Sequence, residues 1–467
     1  MARGSRGQAG HRGKRMGEES KGITDVYMDT AKILYKFANH QGGLKALALS
    51  DEAVQSNKTA TYSLAFNTLL RYKSLMAVAP AVPMLPDTQS EFFFLHLVLL
   101  YEGLCGKGIN NQERRRRKLN STTRAAYKSV LMVVDDIKAD FPTKPTEDEA
   151  AFQRAIDRAH HFPRSLRVNP TVLTRNQALG LYANAKPDPV LPDVLLAPKD
   201  TPIRDDKNVA SGAVTVQSRA SCLPVSALFD VVDRDKERYV GSVLDFCAAP
   251  GNKTTHAAVR LAQAVLGKGL RAKGGNKSVR KVYSVTLNEI DPRRAELAEK
   301  LTAPVTATLP AAVRVVARVG SCLDLTCAPV EGCEPPTLCV VDPSCSSSGV
   351  VGNPDKRFGA MFGETTDLAG LAEFQHSCLT HAMGLETVQA IAYSTCSVHD
   401  EENEEVVRRA LQTVPGWKPA YPLSAWERRG HGDDEVARCS IKTDPEQDQT
   451  DGFYVCVLVR DVPEDED

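Results

Sequence analysis

The sequence predicts an α/β protein with a mainly parallel sheet, preceded by a small α+β module and an all-helical N-terminal region. Three observations predict it. From Gly241 onward, short apolar runs of strand length alternate with helical patterns, the order expected of parallel strands joined by right-handed crossovers. Leu244 to His256, LDFCAAPGNKTTH, reads as strand, turn of small residues, then helix, the junction at which such sheets hold a nucleotide-like ligand. Later strand patterns end in polar turns that carry acids and cysteines.

Bulk composition is that of an ordinary globular chain. It has 467 residues, enough for two to four domains, with 42% hydrophobic and 25% charged residues and a formal net charge of zero. No apolar stretch has the length of a bilayer span and no signal-peptide pattern opens the chain, so no membrane partner is expected. Twelve cysteines in such a chain read as thiols, not as a disulfide framework. Cys322, Cys327, Cys333, Cys339 and Cys345 contain no C-x-x-C pair, and no metal site is expected.

Taken in order, residues 1–23 form a basic tail with the composition of a disordered segment. Residues 24–160 carry helical spacing: Val26, Ala31, Leu34 and Phe37, then Leu64, Leu69 and Leu70, then the apolar run Phe92 to Leu100, which suits a buried helix. Arg114, Arg115, Arg116 and Arg117 lie in the densest basic run, a candidate contact for nucleic-acid phosphates. Residues 161–235 form the α+β module. In it Pro163 to Asn169 reads as a strand whose arginines, Arg164 and Arg167, share one face and join the candidate RNA contacts. Val214 to Gln217 reads as another strand, and Arg219 to Pro224 leads into a short helix.

Residues 236–460 hold the sheet. Its strands are read at Val243–Phe246, Val282–Leu287, Val313–Val316, Leu338–Val341, Ala390–Tyr393 and Phe453–Val459, with a helix starting at Thr254. Gly267 to Lys281 reads as a basic, Gly-rich insertion, and 461–467 as an acidic tail. The Gly-Asn-Lys-Thr tetrad at Gly251 is not a phosphate-binding Walker loop, because Asn252 separates the glycine from Lys253. Glu289 closes the second strand, where these folds bind a ribose hydroxyl pair, and the insertion explains its distance from the loop. Asp342 and Cys345 close the fourth strand and Cys396 the fifth. Neighbouring strands lie about 4.8 Å apart, which would bring two thiols and a carboxylate to one cleft.

At this point the motifs resemble a known family, the Nop2/Sun-type RNA cytosine-5 methyltransferases. The matching pieces are Cys247-Ala248-Ala249-Pro250-Gly251-Asn252-Lys253, Asp342-Pro343-Ser344-Cys345-Ser346 and Tyr393-Ser394-Thr395-Cys396-Ser397. Asp-Pro-Ser-Cys, together with Gln217 to Pro224, Glu401-Glu402-Asn403-Glu404 and Gly106-Lys107-Gly108, is similar to the subgroup that modifies large-subunit ribosomal RNA. The resemblance implies a Rossmann-like class I methyltransferase sheet and S-adenosyl-L-methionine as cofactor. It further implies an RNA partner, most simply ribosomal RNA within pre-ribosomal particles, and a nuclear, nucleolar location. It makes Cys396 the nucleophile, Cys345 the group that assists breakdown of the adduct, and Asp342 the contact to the cytosine edge. Residues 247–253 would hold the cofactor's amino-acid end, and Glu289, with Arg294 nearby, its ribose.

Three positions depart from the family pattern. Ser321 aligns where an acid usually meets the adenine, with Asp324 as a substitute. Ser347 stands where glycine is common, and Glu289 where aspartate is. Two other readings follow from the same motifs: a transfer-RNA cytosine-5 methyltransferase, and a catalytically silent RNA-binding ribosome-assembly factor.

Overall fold

The computed structural model describes residues 25–49, 54–106, 119–142, 144–267, 281–352, 354–363 and 365–461. Arg114 to Arg117, the Gly106-Lys107-Gly108 piece beyond Gly106, the core of the Gly-rich insertion, the basic tail and the last six residues lie outside them. The chain divides into two compact units, 1–150 with 357–364 and 151–356 with 365–467.

The first unit is helical. Helices span Val26–Ala38, Lys58–Leu70, Glu91–Leu104 and Ser121–Leu131. Asp25, Asn57, Ser90 and Asn120 cap their starts by accepting a backbone N–H, which satisfies donors a helix leaves open. Glu91–Leu104 buries every residue from Phe93 to Leu100, as its uninterrupted apolar run requires. Phe358 and Phe362, from far downstream, complete this core. Phe358 packs edge-on against Phe66, and Phe362 against Phe37, Tyr72 and Phe94.

The second unit holds two sheets. The smaller is antiparallel, with β1 (Arg164–Val168), β2 (Lys186–Pro187), β3 (Val194–Ala197) and β4 (Val214–Val216) in the order β2-β3-β1-β4. The reading of Arg164 and Arg167 as one face of β1 is corrected here. Positions three apart fall on opposite sides of a strand. Arg164 stays half-exposed and donates to Lys199 O at 2.8 Å. Arg167 is 1% exposed, donating to Gln217 Oε1 and Thr255 Oγ1, each at 2.8 Å. A guanidinium so enclosed is a structural tie, and it leaves the set of RNA contacts.

The larger sheet contains β5 (Ser242–Asp245), β6 (Tyr283–Glu289), β7 (Val313–Val319), β8 (Pro336–Val341), β9 (Ala390–Thr395), β10 (Trp417–Ala420), β11 (Ile441–Thr443) and β12 (Phe453–Arg460). Its order is β10-β12-β9-β8-β5-β6-β7, with β11 beside β12. β5 to β9 run parallel, and β10, β11 and β12 extend the sheet antiparallel. Both faces of β5, β8 and β9 are covered, and the middles of these strands are apolar, whereas the edge strand β7 stays partly exposed and carries Arg314 and Arg318. Val243, Val285, Leu338 and Ala392 pack with Leu223, Phe229 and Leu261 on one side, and Leu244, Cys339, Val341 and Ile391 with Leu379 and Val407 on the other.

Most strand boundaries moved by one to three residues, and three changes bear on the site or its packing. The helix read from Thr254 begins at Asn252, β7 runs on to Val319, and the short helix after Arg219 extends through Pro224 to Val232. Chain order reverses around β5, with β6 and β7 laid out on one side and β8 and β9 on the other. This is the topology that opens a crevice at the carboxyl ends of β5 and β8.

Candidate active site

β8 and β9 are adjacent and parallel, so the turns that follow them lie side by side. Ser394 Oγ donates to Asp342 Oδ1 and Lys253 Nζ to Asp342 Oδ2, each at 2.6 Å. Cys345 Sγ and Cys396 Sγ are 3.1 Å apart, both half-buried. The expected meeting of two thiols and a carboxylate is therefore present. All three line one cavity of about 440 Å³. That cavity also takes Phe246 and Cys247 after β5, Asn288 and Glu289 at the end of β6 with Ile290 after it, and Gly320 and Ser321 after β7.

Two sulfurs this close hold one negative charge between them far more easily than two. The charge settles on Cys396. Its pKa is brought down to about 7, chiefly by the hydrogen bond from Cys345, with Ser347 and Lys253 helping against burial and Asp342. Cys345 moves the other way, held protonated by its bond to Cys396 and by burial. Burial works against the Lys253 ammonium, but Asp342 beside it prevails and raises its pKa.

A buried polar frame holds the two turns together. Glu402 Oε1 accepts from Ser346 N at 2.8 Å and Gln375 Nε2 at 2.9 Å. The hydroxyls of Ser346, Ser348 and Ser397 lie within 3.1 Å of one another. Asn403 binds Thr395 Oγ1 and Ser397 O. Gly349 N donates to Cys396 O at 2.9 Å, and a Cβ on Gly349 would stand 2.1 Å from Gly452 O, so no side chain fits there. Sequence reading took Glu402 and Asn403 only as part of a familiar tetrad and passed over Gln375. An acid and two amides beside apolar helical patterns were the available signal.

The loop after β5 is tight. Ala249–Pro250 is cis, and Gly251 has φ +96°, with Thr302 Cγ2 2.3 Å from where a Cβ would be. Of the seven residues proposed to hold a cofactor, Cys247 and Ala249 line the cavity, while Ala248 is buried. Pro250, Gly251 and Asn252 line a separate cavity of about 290 Å³ against Thr302 and Pro304, and Lys253 turns to Asp342. Glu289 is 4% exposed and pairs with Arg294 at 3.3 Å. Ser321 lines the cavity, whereas Asp324, its proposed substitute, is exposed and does not.

Several residues in or beside the site were not read from sequence. Asn288 donates to Phe246 O and Gly320 O, tying the ends of three strands, and Ile290 and Phe374 add exposed apolar surface to the cavity wall. Asp245, buried at the end of β5, accepts from Thr254 Oγ1 at 2.6 Å, and burial lifts its pKa to about 7. Among the described residues, Asp400, Glu404 and His431 come close enough to hold a cation, but Lys442 Nζ already sits among them, 2.5 Å from Asp400.

The chain is similar to known proteins in sequence and in fold. Residues 337–459 match the family model described as 16S rRNA methyltransferase RsmB/F. The chain is 28% identical to the mouse 28S rRNA (cytosine-C(5))-methyltransferase and 26% identical to the Schizosaccharomyces pombe 25S rRNA (cytosine-C(5))-methyltransferase rcm1. Each match covers 93% of this chain and 91% of the relative. The solved structure of PH0851 superposes with a TM-score of 0.61 at 18% identity, covering 94% of this chain and all of that one, a likeness of fold.

Proposed function

We propose, from the premise that the chain belongs to the Nop2/Sun family of RNA cytosine-5 methyltransferases, that it methylates C5 of a cytosine in large-subunit ribosomal RNA. The observation that carries this reading is the pair of thiols 3.1 Å apart beside Asp342, at the mouth of a cavity formed by strand ends. Cytosine C5 is a poor nucleophile, and the arrangement supplies what it lacks. The Cys396 thiolate adds to C6, and the ring becomes an enamine whose electrons reach C5. S-adenosylmethionine supplies the electrophilic methyl. The methyl donor is left as its thioether, S-adenosylhomocysteine; loss of the C5 proton to solvent then expels Cys396 and restores the aromatic ring. Cys345, held protonated against Cys396, is placed to return a proton to the departing sulfur. Asp342 is placed to hydrogen-bond the base edge, with Lys253 fixing its orientation.

The cavity fits the methyl carrier in size and chemistry. About 440 Å³ lies within the range of small-molecule sites. The Glu289 carboxylate accepts hydroxyls in the way a ribose requires, Ile290 and Phe374 offer apolar surface to a base, and Cys247 and Ala249 form the opposite wall. The target base must leave its stack to reach the thiols. The four-stranded module with Arg164, and the Arg114 to Arg117 run outside the described residues, are the proposed RNA grip. A ribosomal substrate places the work in the nucleolus, on pre-ribosomal particles.

The test uses ribosomal RNA and methyl-labelled cofactor. Cys396→Ala is expected to abolish label transfer, and Cys345→Ala to accumulate a covalent protein–RNA adduct. Label transfer that survives Cys396→Ala would overturn the assignment of the nucleophile. Transfer to tRNA but not to rRNA would overturn the substrate.

A further inference from the structure

Ser347 lies in left-handed backbone, φ +55°, a conformation glycine adopts freely and a residue with a Cβ adopts at a cost. A turn that needed only this backbone would be better served by glycine, so the side chain calls for another explanation. Its neighbours Ser346 and Ser348 spend their hydroxyls on Ser397. Ser347 instead lines the cavity, and its hydroxyl meets Cys396 Sγ at 3.5 Å, its one hydrogen bond among the described residues.

The direction of that bond depends on protonation. While Cys396 is a thiol, its S–H donates to Ser347 Oγ. Once the sulfur has lost its proton, only the hydroxyl has a hydrogen to give, and the bond reverses into a charge-assisted one. We propose that Ser347 is a further catalytic residue, whose hydroxyl donates to the Cys396 thiolate before attack on the base and again as the sulfur leaves. The left-handed backbone is what aims the hydroxyl at the sulfur. This rests on Cys396 being the nucleophile. It adds a second donor to the one Cys345 provides.

The experiment compares the full chain with Ser347→Gly and Ser347→Ala. Alkylation of Cys396 by iodoacetamide, resolved by peptide mass spectrometry, is followed against pH with neither RNA nor methyl donor present. Both variants are expected to react about tenfold more slowly on the acid side of neutrality and to converge with the parent at alkaline pH, the signature of one lost donor to a charged group. Ser347→Gly relieves the backbone, so its folding is not in question, and Ser347→Ala separates the hydroxyl from the backbone. Profiles identical to the parent's in both variants would overturn the proposal, as would a shift in Ser347→Gly alone. Failure of the underlying reading is separate: it would appear as methyl transfer that no longer depends on Cys396.

Discussion

Glu402 offers the sharpest test of the idea that the two cysteine turns are held as one piece. Its carboxylate is fully buried, and one oxygen receives both Ser346 N–H, from the turn carrying Cys345, and Gln375 Nε2. Glu402→Ala strands Ser346 N–H and one of the two N–H groups of Gln375 Nε2, whose other donates to Ser344 O, where water does not reach. Each stranded N–H costs about 1–3 kcal/mol, and the lost volume adds about 1 more, so a loss of roughly 3–7 kcal/mol is expected. Glu402→Gln keeps an acceptor oxygen in place and should cost only about 1–2 kcal/mol. The protein's two tryptophans, Trp417 and Trp426, both lie buried in the second unit, so urea unfolding followed by their fluorescence reads this unit alone. Burial pushes the Glu402 carboxyl up, but donors on Ser346, Ser397 and Gln375 prevail and hold it below its usual value. A depressed folded pKa means the contribution is complete above the unfolded value of about 4.3 and is lost as pH falls through the folded one. The alanine variant should lack that acid-side loss. An alanine variant within about 0.5 kcal/mol of the parent, or a glutamine variant as damaged as the alanine one, would refute the reasoning.

Three further outcomes follow from buried groups. Arg167→Met should cost about 1–3 kcal/mol, by stranding Gln217 Oε1 and taking a donor from Thr255 Oγ1, whose own hydrogen still reaches Asn252 O, yet leave the RNA affinity of the folded protein and its salt dependence unchanged, measured by filter binding across salt concentrations. Gly251→Ala should lose about 2–4 kcal/mol in chemical denaturation, and Thr302→Ser in the same chain should return part of it by removing the obstructing methyl. Asp245, raised to about 7 by burial, favours folding fully below its unfolded pKa and loses that contribution as pH rises through 7. Asp245→Asn should therefore gain on the parent by about 2–4 kcal/mol between mildly acid and mildly alkaline pH in thermal unfolding.

What could be read in advance was whatever has a period or a punctuation mark. β5, β6, β8 and β9 are apolar runs ended by polar turns, and their neighbours' helices carry a 3.6-residue stripe, so the sheet and the three motif turns were legible. The meeting of Cys345 with Cys396 was legible too, because adjacent parallel strands bring their final turns together. Arg167 was misjudged because a charged residue in a strand looks like surface. Only the fold shows that Gln217 and Thr255, fifty and eighty-eight positions away, enclose it. Phe358 and Phe362 gave no sign that they complete a core built about 270 or more positions earlier, since a short aromatic helix carries no address. The cofactor loop was legible as a loop but not in its parts. Small residues announce close packing, and here Gly251 meets Thr302 while the cavity is left to Cys247 and Ala249.

The two thiols show why a pair of identical residues can divide a reaction. At 3.1 Å they share one proton, and whichever sulfur has the better donors keeps the charge. The hydrogen bond from Cys345, with the Ser347 hydroxyl and Lys253 helping, brings the Cys396 pKa down to about 7; Cys345 is left as the donor, with its pKa raised. A nucleophile needs the first state, and a group that returns a proton to a departing sulfur needs the second. The division does not depend on which cysteine came from which motif. It depends on what surrounds each sulfur, and it requires that the two turns not drift apart. The burial of a whole carboxylate, two amides and the hydroxyls of Ser346 and Ser397 beside the thiols follows from that requirement: an apolar filling would pack the space but would not fix the separation of two sulfurs to within a hydrogen bond.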